Sequence, residues 1–282
     1  EIPSLYKGAF HRFPILQRVV RSSWYRFLEF RGGLFFGNKT KYRLFEKLCL
    51  KKLEREVADP EVRRRLTPDY AMGCKRVLVS DNYFPTFNRP NVLLETQSID
   101  KITPTGIATK DGSESAFDVI IFATGFEVVD FERMKLFGLK GRELYGEWKQ
   151  SGISAYKGTV VSGFPNFCML LGPNSGFGHN SILLAMEAQM NYVLQYLALL
   201  EQQPENAGLD LKPEAQRSYN EALQRKFNGT VWASGCKSWY LDEEGNNPVI
   251  YPGLMGAFQQ ETKRFNPADY QPVFAFAGIA PF

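Results

Sequence analysis

Residues 117–126 read FDVIIFATGF, and the pattern of this stretch sets the fold class. Asp118 leads a short apolar run, Val119-Ile120-Ile121-Phe122, which stops at the small-residue turn Ala123-Thr124-Gly125. An apolar, β-rich run of that length ended by glycine predicts a buried strand entering a tight turn. Small side chains at the turn let the backbone approach another segment, or a ligand, closely. An ordinary core strand of any α/β protein gives the same pattern, so the stretch alone does not choose between the two.

On the N-terminal side the period is helical. Residues 12–30 mix apolar and basic side chains at roughly helical spacing. In the segment from Lys41 to Ala58, Phe45, Cys49, Leu53 and Val57 recur every four residues, with Leu44 and Leu48 widening the stripe. Arg31-Gly32-Gly33 breaks the two helices apart, and Asp59-Pro60 predicts a helix stop and restart. From Tyr70 the period shortens. Val77-Leu78-Val79, Asn91 to Leu94, Gly106 to Thr109 and Val119 to Phe122 are predicted strands, with turns at Asn88-Arg89-Pro90 and Asp111-Gly112. A further buried strand is predicted over Phe167 to Leu171. The turn Gly172-Pro173-Asn174-Ser175-Gly176 and a long helix from Ser181 to Leu200 follow it. Pro213 opens another helix, closed near Asn228-Gly229.

Composition bounds the function. The chain is 282 residues long, with 44% hydrophobic and 23% charged residues, as in a water-soluble globular protein of one or two domains. No apolar run reaches the roughly 20 residues that span a bilayer. The four cysteines (Cys49, Cys74, Cys168, Cys236) are scattered and only two histidines occur, His11 and His179. That excludes the usual zinc and iron–sulfur spacings and suits free thiols in a reducing compartment. Residues 1–76 carry 18 Lys/Arg against 8 Asp/Glu, a basic excess that suits a phosphorylated ligand, an anionic surface or a solvated helical face. The chain begins at Glu1 rather than Met, so it is expected to be a piece of something longer.

Three motifs can carry chemistry. Met72-Gly73-Cys74-Lys75-Arg76 sets two cations after a glycine turn, where each can meet a different part of a ligand. Lysine is a compact charge suited to phosphate, and arginine is a permanent cation with a planar fork of donors. Two surface charges beside a turn would look the same. GPNSGFGHNS (residues 172–181) leads a glycine-rich turn into a helix N-terminus, where free N–H groups and the dipole favour negative charge. His179 in that loop reads as a capping or packing residue rather than a base. Gly235 to Tyr240, GCKSWY, offers two adjacent aromatics that could stack on a flat ring or anchor a loop in the core.

Taken in order, these motifs resemble those of flavin-dependent (class B) monooxygenases of the Baeyer–Villiger and flavin-containing monooxygenase type, including the 4-hydroxyacetophenone monooxygenase-like proteins. FDVIIFATGF is similar to their ATG motif at the crossover between NADPH and FAD domains, and GCKR to their G-[TC]-K-R loop. The resemblance implies that Lys75 approaches the 2′-phosphate of NADPH. It implies that Arg76 is catalytic, reaching the flavin face and stabilising a negatively charged peroxyflavin. Trp239 would contact NADP⁺, and Thr124, Gly125, Gly172, Pro173, Asn174 and Ser175 would lie against the cofactors. The implied cofactors are FAD and NADPH. The implied partners are O₂ and a small-molecule ketone or soft heteroatom, with no nucleic acid, in the cytoplasm.

No GxGxxG follows a predicted strand anywhere. The family has one such loop for each dinucleotide, so the chain resembles the C-terminal portion of these enzymes. The expected fold class is α/β: an incomplete two-dinucleotide-binding fold with a helical insertion, lacking the N-terminal FAD-binding strands. Residues 1–68 would be the helical insertion of the NADPH domain, 69–125 the remaining β-rich part of that domain, and 126–282 the closing part of the FAD domain. Such a chain is not expected to retain FAD by itself. The alternative is a non-catalytic remnant or an interaction module working through its basic helices; the oligomeric state is open.

Overall fold

A computed structural model describes residues 3–33, 39–125, 134–235 and 237–274; Phe126 and Cys236, which belong to two of the motifs above, lie outside them. The helices are α1 (Ser4–Arg12), α2 (Pro14–Gly32), α3 (Lys39–Glu56), α4 (Pro60–Leu66), α5 (Tyr83–Thr86), α6 (Leu144–Ser151), α7 (Ile182–Leu200), α8 (Pro213–Arg225) and α9 (Met255–Lys263). The strands are β1 (Ile99–Ile102), β2 (Gly106–Thr109), β3 (Glu114–Ala116), β4 (Gly208–Leu211) and β5 (Tyr270–Val273). The chain forms two compact units. One comprises Glu1–Tyr42, Ala71–Val77 and Phe131–Phe282, and the other Arg43–Tyr70 and Leu78–Asp130.

The larger unit is built around α7. Ala185, Ala188, Gln189, Tyr192 and Tyr196 fall on one helical stripe and are buried. They meet Met255 and Phe258 of α9, Leu209 and Leu211 of β4, and Tyr270 of β5. β4 and β5 pair antiparallel, from Gly208 opposite Val273 to Leu211 opposite Tyr270. Large tyrosines bury well here because their hydroxyls find partners: Tyr192 and Tyr270 share a 2.6 Å hydrogen bond, and Tyr196 donates to the Leu209 carbonyl at 2.6 Å. Pro213 does begin α8, and Gly229 adopts the left-handed φ of +81° just past its end.

In the smaller unit, Leu53 and Val57 are the buried members of the α3 stripe, whereas Leu44, Leu48 and Cys49 are exposed. Asp59 caps α4 as the sequence implies, its Oδ1 accepting from the Glu61 N–H at 2.7 Å. The three-stranded sheet runs β1-β2-β3, antiparallel throughout. Its second turn is locked by Asp111, whose Oδ1 accepts from the Thr109 hydroxyl at 2.7 Å and the Ser113 N–H at 3.1 Å.

Several expectations are corrected. Residues 77–79, 91–94, 119–122 and 167–171 are not strands; of the predicted set only Gly106–Thr109 pairs, as β2. An apolar run marks what a strand buries, but a ladder also needs a neighbouring strand, and these segments have none among the described residues. The parallel sheets of a dinucleotide fold are likewise absent from the described residues, where the architecture is mixed α/β with antiparallel ladders; a lone parallel bridge joins Gly176 and Ile250. Cys49 and Cys168 are free thiols but Cys74 is disulfide-bonded, against the expectation of free cysteines throughout. No helix among the described residues is long and apolar enough to cross a membrane.

Candidate cofactor site

The loop carrying Lys75 and Arg76 turns at Gly73, whose φ of +91° is a left-handed conformation that side chains rarely tolerate. Cys74 is fully buried and anchors the loop, and the two cations after it are exposed. Sequence distance is bridged here: the Ser238 hydroxyl donates to the Cys74 carbonyl at 2.8 Å, joining this loop to the segment that carries Trp239. Tyr240 is buried with Phe227, Trp232 and Ile250. Trp239 stacks on it, with ring centroids 4.0 Å apart and planes tilted by 36°. Burial pushes the Tyr240 phenol up in pKa, while the positive charge of Arg76 pulls it back. The loop of the two exposed cations, Lys75 and Arg76, is thus fastened to the segment that carries the half-exposed Trp239 indole. Cations and an aromatic face on linked loops suit a flat, phosphate-bearing ligand.

The loop from Gly172 belongs to the same unit. Pro173, Asn174 and Ser175 are all buried. Asn174 Nδ2 donates to the carbonyls of Asn247 at 2.6 Å and Ile250 at 2.9 Å, and the Ser175 hydroxyl donates to the Gly172 carbonyl. These polar side chains are spent holding the loop, and the N–H groups of Asn174 and Gly176 are likewise spent on the Pro248 and Val249 carbonyls. Gln189 of α7 holds it from beneath, accepting from the Leu171 N–H at 2.9 Å and donating to the Gly158 carbonyl at 2.7 Å. Ile250 links this loop to the Tyr240 cluster. The loop ends at α7, whose first N–H groups have no side-chain cap. A groove of about 630 Å³ opens between α2 and this helix start, within the size range of small-molecule pockets. Thr124 and Gly125 belong to the other unit; both are exposed, and Gly125 has a left-handed φ of +98°.

Glu29 was missed by the sequence reading. Its carboxylate accepts from the Met255 N–H at 3.1 Å and the Gly256 N–H at 3.0 Å, capping α9 from outside that helix. The same group accepts from Asn180 Nδ2 at 2.9 Å and meets His179 Nε2 at 3.2 Å. Gly32, one turn on, has no room for a Cβ, which would overlap the His179 imidazole. The signal was present: Glu29 is the single acidic residue within α2. A lone acid among arginines is more easily read as a surface counterion than as a cap 226 residues away in sequence from its helix.

Burial pushes the Glu29 carboxyl up in pKa. The N–H groups of Gly256, Asn180 and Met255 and the charge of His179 outweigh that and hold it below the ordinary value. Burial dominates at His179 and lowers its pKa despite the nearby carboxylate. The ring is therefore neutral at pH 7, and Nε2 carries the hydrogen because Glu29 can only accept. Both groups bind protons less readily folded than unfolded, so the stability they add is full above the ordinary histidine pKa. It is lost in two stages, first as pH falls through the histidine range and then through the carboxylate range. We expect thermal melts of the chain to show that two-stage decline. His179→Gln should flatten the first stage, and Glu29→Ala should cost about 1–2 kcal/mol at pH 7 through loss of the cap. An unchanged pH profile in His179→Gln would show that the imidazole does not titrate with folding.

No protein-family model matches the chain. A Baeyer-Villiger monooxygenase of Pseudomonas aeruginosa is 41% identical to it over 264 residues, 93% of this chain and 50% of that protein. A Baeyer-Villiger monooxygenase of Streptomyces coelicolor is 35% identical over 266 residues, again 93% of this chain and 51% of that protein. Among solved structures, OTEMO in complex with FAD and NADP superposes with a TM-score of 0.74 at 27% identity, covering 84% of this chain and 45% of that one. The chain is homologous to Baeyer–Villiger monooxygenases and spans about half the length of the curated relatives it matches.

Proposed function

We propose that this chain serves FAD- and NADPH-dependent monooxygenation, as the part of such an enzyme that reads the nicotinamide cofactor and places a fixed cation at the reacting centre. The overall reaction is ketone + O₂ + NADPH + H⁺ → ester or lactone + NADP⁺ + H₂O, with soft heteroatoms as alternative oxygen acceptors. The observation that carries the reading is the fastening of two loops far apart in sequence: the Ser238 hydroxyl donates to the Cys74 carbonyl and ties the loop of Lys75 and Arg76 to the segment of Trp239. In this reading Lys75 takes the 2′-phosphate, Trp239 lies against the dinucleotide and Arg76 faces the flavin. Residues 1–68 and 69–125 would then be the helical insertion and remainder of the NADPH domain, and 126–282 the closing part of the FAD domain. NADPH supplies the electrons, and bound flavin supplies the activation of O₂; the protein's share is orientation and electrostatics.

The residues present fit NADP(H) better than FAD. Exposed cations on a loop fastened to the segment of an exposed indole match a phosphorylated dinucleotide. For the FAD pyrophosphate there is no GxGxxG, and the polar side chains of Asn174 and Ser175 are turned inward. We therefore expect the purified chain to lose FAD on desalting. An equimolar flavin absorbance left after that step would refute this and would require another pyrophosphate cradle. A cytoplasmic site, where NADPH is kept reduced, suits the chemistry; the disulfide at Cys74 is the one feature that favours an oxidising compartment. The second reading, a non-catalytic interaction module, is favoured by large apolar side chains left exposed, Leu78, Val79 and Leu93 among them.

A further inference from the structure

The cysteines of this chain do not share one redox state. Cys74 is disulfide-bonded, while Cys49 is free and exposed and Cys168 is free and half-buried. An exposed free thiol such as Cys49 suits a reducing compartment, and there a disulfide is transient, catalytic or redox-sensing rather than structural. Nor does the fold call for a staple. Disulfides hold together small domains that lack a sufficient core. Here the larger unit has its core around α7, where Tyr192, Tyr196, Met255 and Phe258 are wholly or almost wholly buried. Cys74 lies instead at the base of the loop of the candidate site. Its N–H donates to the Ala71 carbonyl at 3.1 Å, and its own carbonyl accepts from the Ser238 hydroxyl at 2.8 Å. Both hydrogen bonds use backbone groups of Cys74, so opening the disulfide removes one of several restraints on the turn. Lys75 and Arg76 follow directly and are exposed. A cross-link at that place acts on how firmly two cations are held.

We propose that the Cys74 disulfide is a redox switch on this loop: a peroxide closes it, a thiol reductant opens it, and its state sets how firmly Lys75 and Arg76 are presented to a phosphorylated dinucleotide. The ligand rests on the monooxygenase reading; the switch rests on the bond, the free thiols and the loop. Closing is 2 RSH + H₂O₂ → RSSR + 2 H₂O. One thiolate attacks a peroxide oxygen and becomes a sulfenic acid, and the second thiol displaces that oxygen as water. The electron pair passes from the sulfurs to the peroxide. Opening is RSSR + 2 R′SH → 2 RSH + R′SSR, by thiolate attack on a disulfide sulfur and release of the other sulfur as a thiol. Peroxide arises wherever NADPH is oxidised without oxygen-atom transfer, NADPH + H⁺ + O₂ → NADP⁺ + H₂O₂. Cys74 is fully buried, so a reductant reaches it only when the loop opens locally. Ligand and bond are then linked. A ligand that holds the loop depopulates the open form and slows reduction, and reduction weakens the grip on that ligand.

The test equilibrates the purified 282-residue chain in glutathione buffers, counts its thiols in denaturant and follows amide exchange. A disulfide consumes two of the four cysteines, so the expected count is two thiols in the oxidised chain and four at a cytosolic glutathione poise. Circular dichroism should not change between the two, and stoichiometric hydrogen peroxide should restore the count of the oxidised chain. Amides of 73–77 and 237–240 should exchange at least about tenfold faster in the reduced chain, while those of α7 and α9 hold their rates. Cys74→Ala should exchange fast at every poise; if that variant does not fold, the reduced parent makes the same comparison. NADP⁺ should slow reduction of the parent and NAD⁺ should not, since the two differ by the 2′-phosphate. A bond that stays closed at cytosolic poise, a bond that joins two copies of the chain, a reduced chain that unfolds as a whole, or exchange at 73–77 indifferent to the bond would overturn the proposal. A bond that opens, closes and frees the loop, with neither nucleotide changing the rate, would uphold the switch and sink the reading of this loop as one that grips the 2′-phosphate.

Discussion

Arg76→Ala, introduced into the chain completed by the unmatched half of the Pseudomonas aeruginosa relative, is expected to cut oxygenated product about a hundred- to a thousandfold while NADPH oxidation continues. Monooxygenation by this route develops negative charge on oxygen in a water-poor site. A pre-placed cation that cannot lose its proton stabilises such charge without reorganising, and removing one group of that kind costs about 2.7–4 kcal/mol. Electron delivery from NADPH does not need that cation, so reducing equivalents should leave as hydrogen peroxide instead of product. The side chain is exposed and its loop is held by the burial of Cys74 and the Ser238 hydrogen bond, so the substitution should leave the fold intact. A local readout separates geometry from catalysis. With the guanidinium gone, Tyr240 loses the charge that offsets its burial, and its phenol should titrate higher than in the parent. Product formation near the parent rate, with Tyr240 shifted, would mean that Arg76 sits where the structure puts it but takes no part in oxygenation.

How much was legible in the sequence follows from what each feature needs. Helices carry their own hydrogen bonds, so Asp59-Pro60, Pro213 and the run from Ser181 marked α4, α8 and α7 to within a residue or two at the ends the sequence named. Strands need partners that pattern cannot name. VIIF reads as a buried strand, yet Val119, Ile121 and Phe122 are exposed and find no neighbouring strand among the described residues. The turns that use local side-chain chemistry, at Asp111 and Gly229, were legible for the reason helices are. In the candidate site, Arg76 and Trp239 were each visible as residue types, but the Ser238–Cys74 hydrogen bond that ties their loops was not, since nothing in either loop names the other. Asn174 and Ser175 show the opposite failure. Their polar side chains suggest ligand contacts, and the fold spends them on loop carbonyls. Glu29 and His179, 150 residues apart, illustrate why a clasp between distant elements leaves so faint a trace: each residue alone has an ordinary explanation.

Lys75→Ala, in the same completed enzyme, is expected to raise the KM for NADPH about ten- to a hundredfold and leave NADH nearly unaffected. The two cofactors differ by the 2′-phosphate, so a residue that reads it changes their ratio and little else. Lys75 is exposed on the loop that also presents Arg76, and a charged hydrogen bond there would contribute about 1.5–3 kcal/mol. At about 1.4 kcal/mol per decade this is one to two decades in affinity. Screening sets the direction of a second check: a contact to an exposed phosphate weakens as ionic strength rises, so the NADPH preference of the parent should shrink with salt and that of Lys75→Ala should not. Lys75→Arg separates charge from shape. It keeps the cation, so it should recover much of the preference if the phosphate is what the loop reads. Equal losses for NADPH and NADH in the alanine variant, without recovery by arginine, would make Lys75 a support of the loop. The assignment of this surface to a phosphorylated dinucleotide would then rest on Trp239 alone, which cannot tell the two cofactors apart.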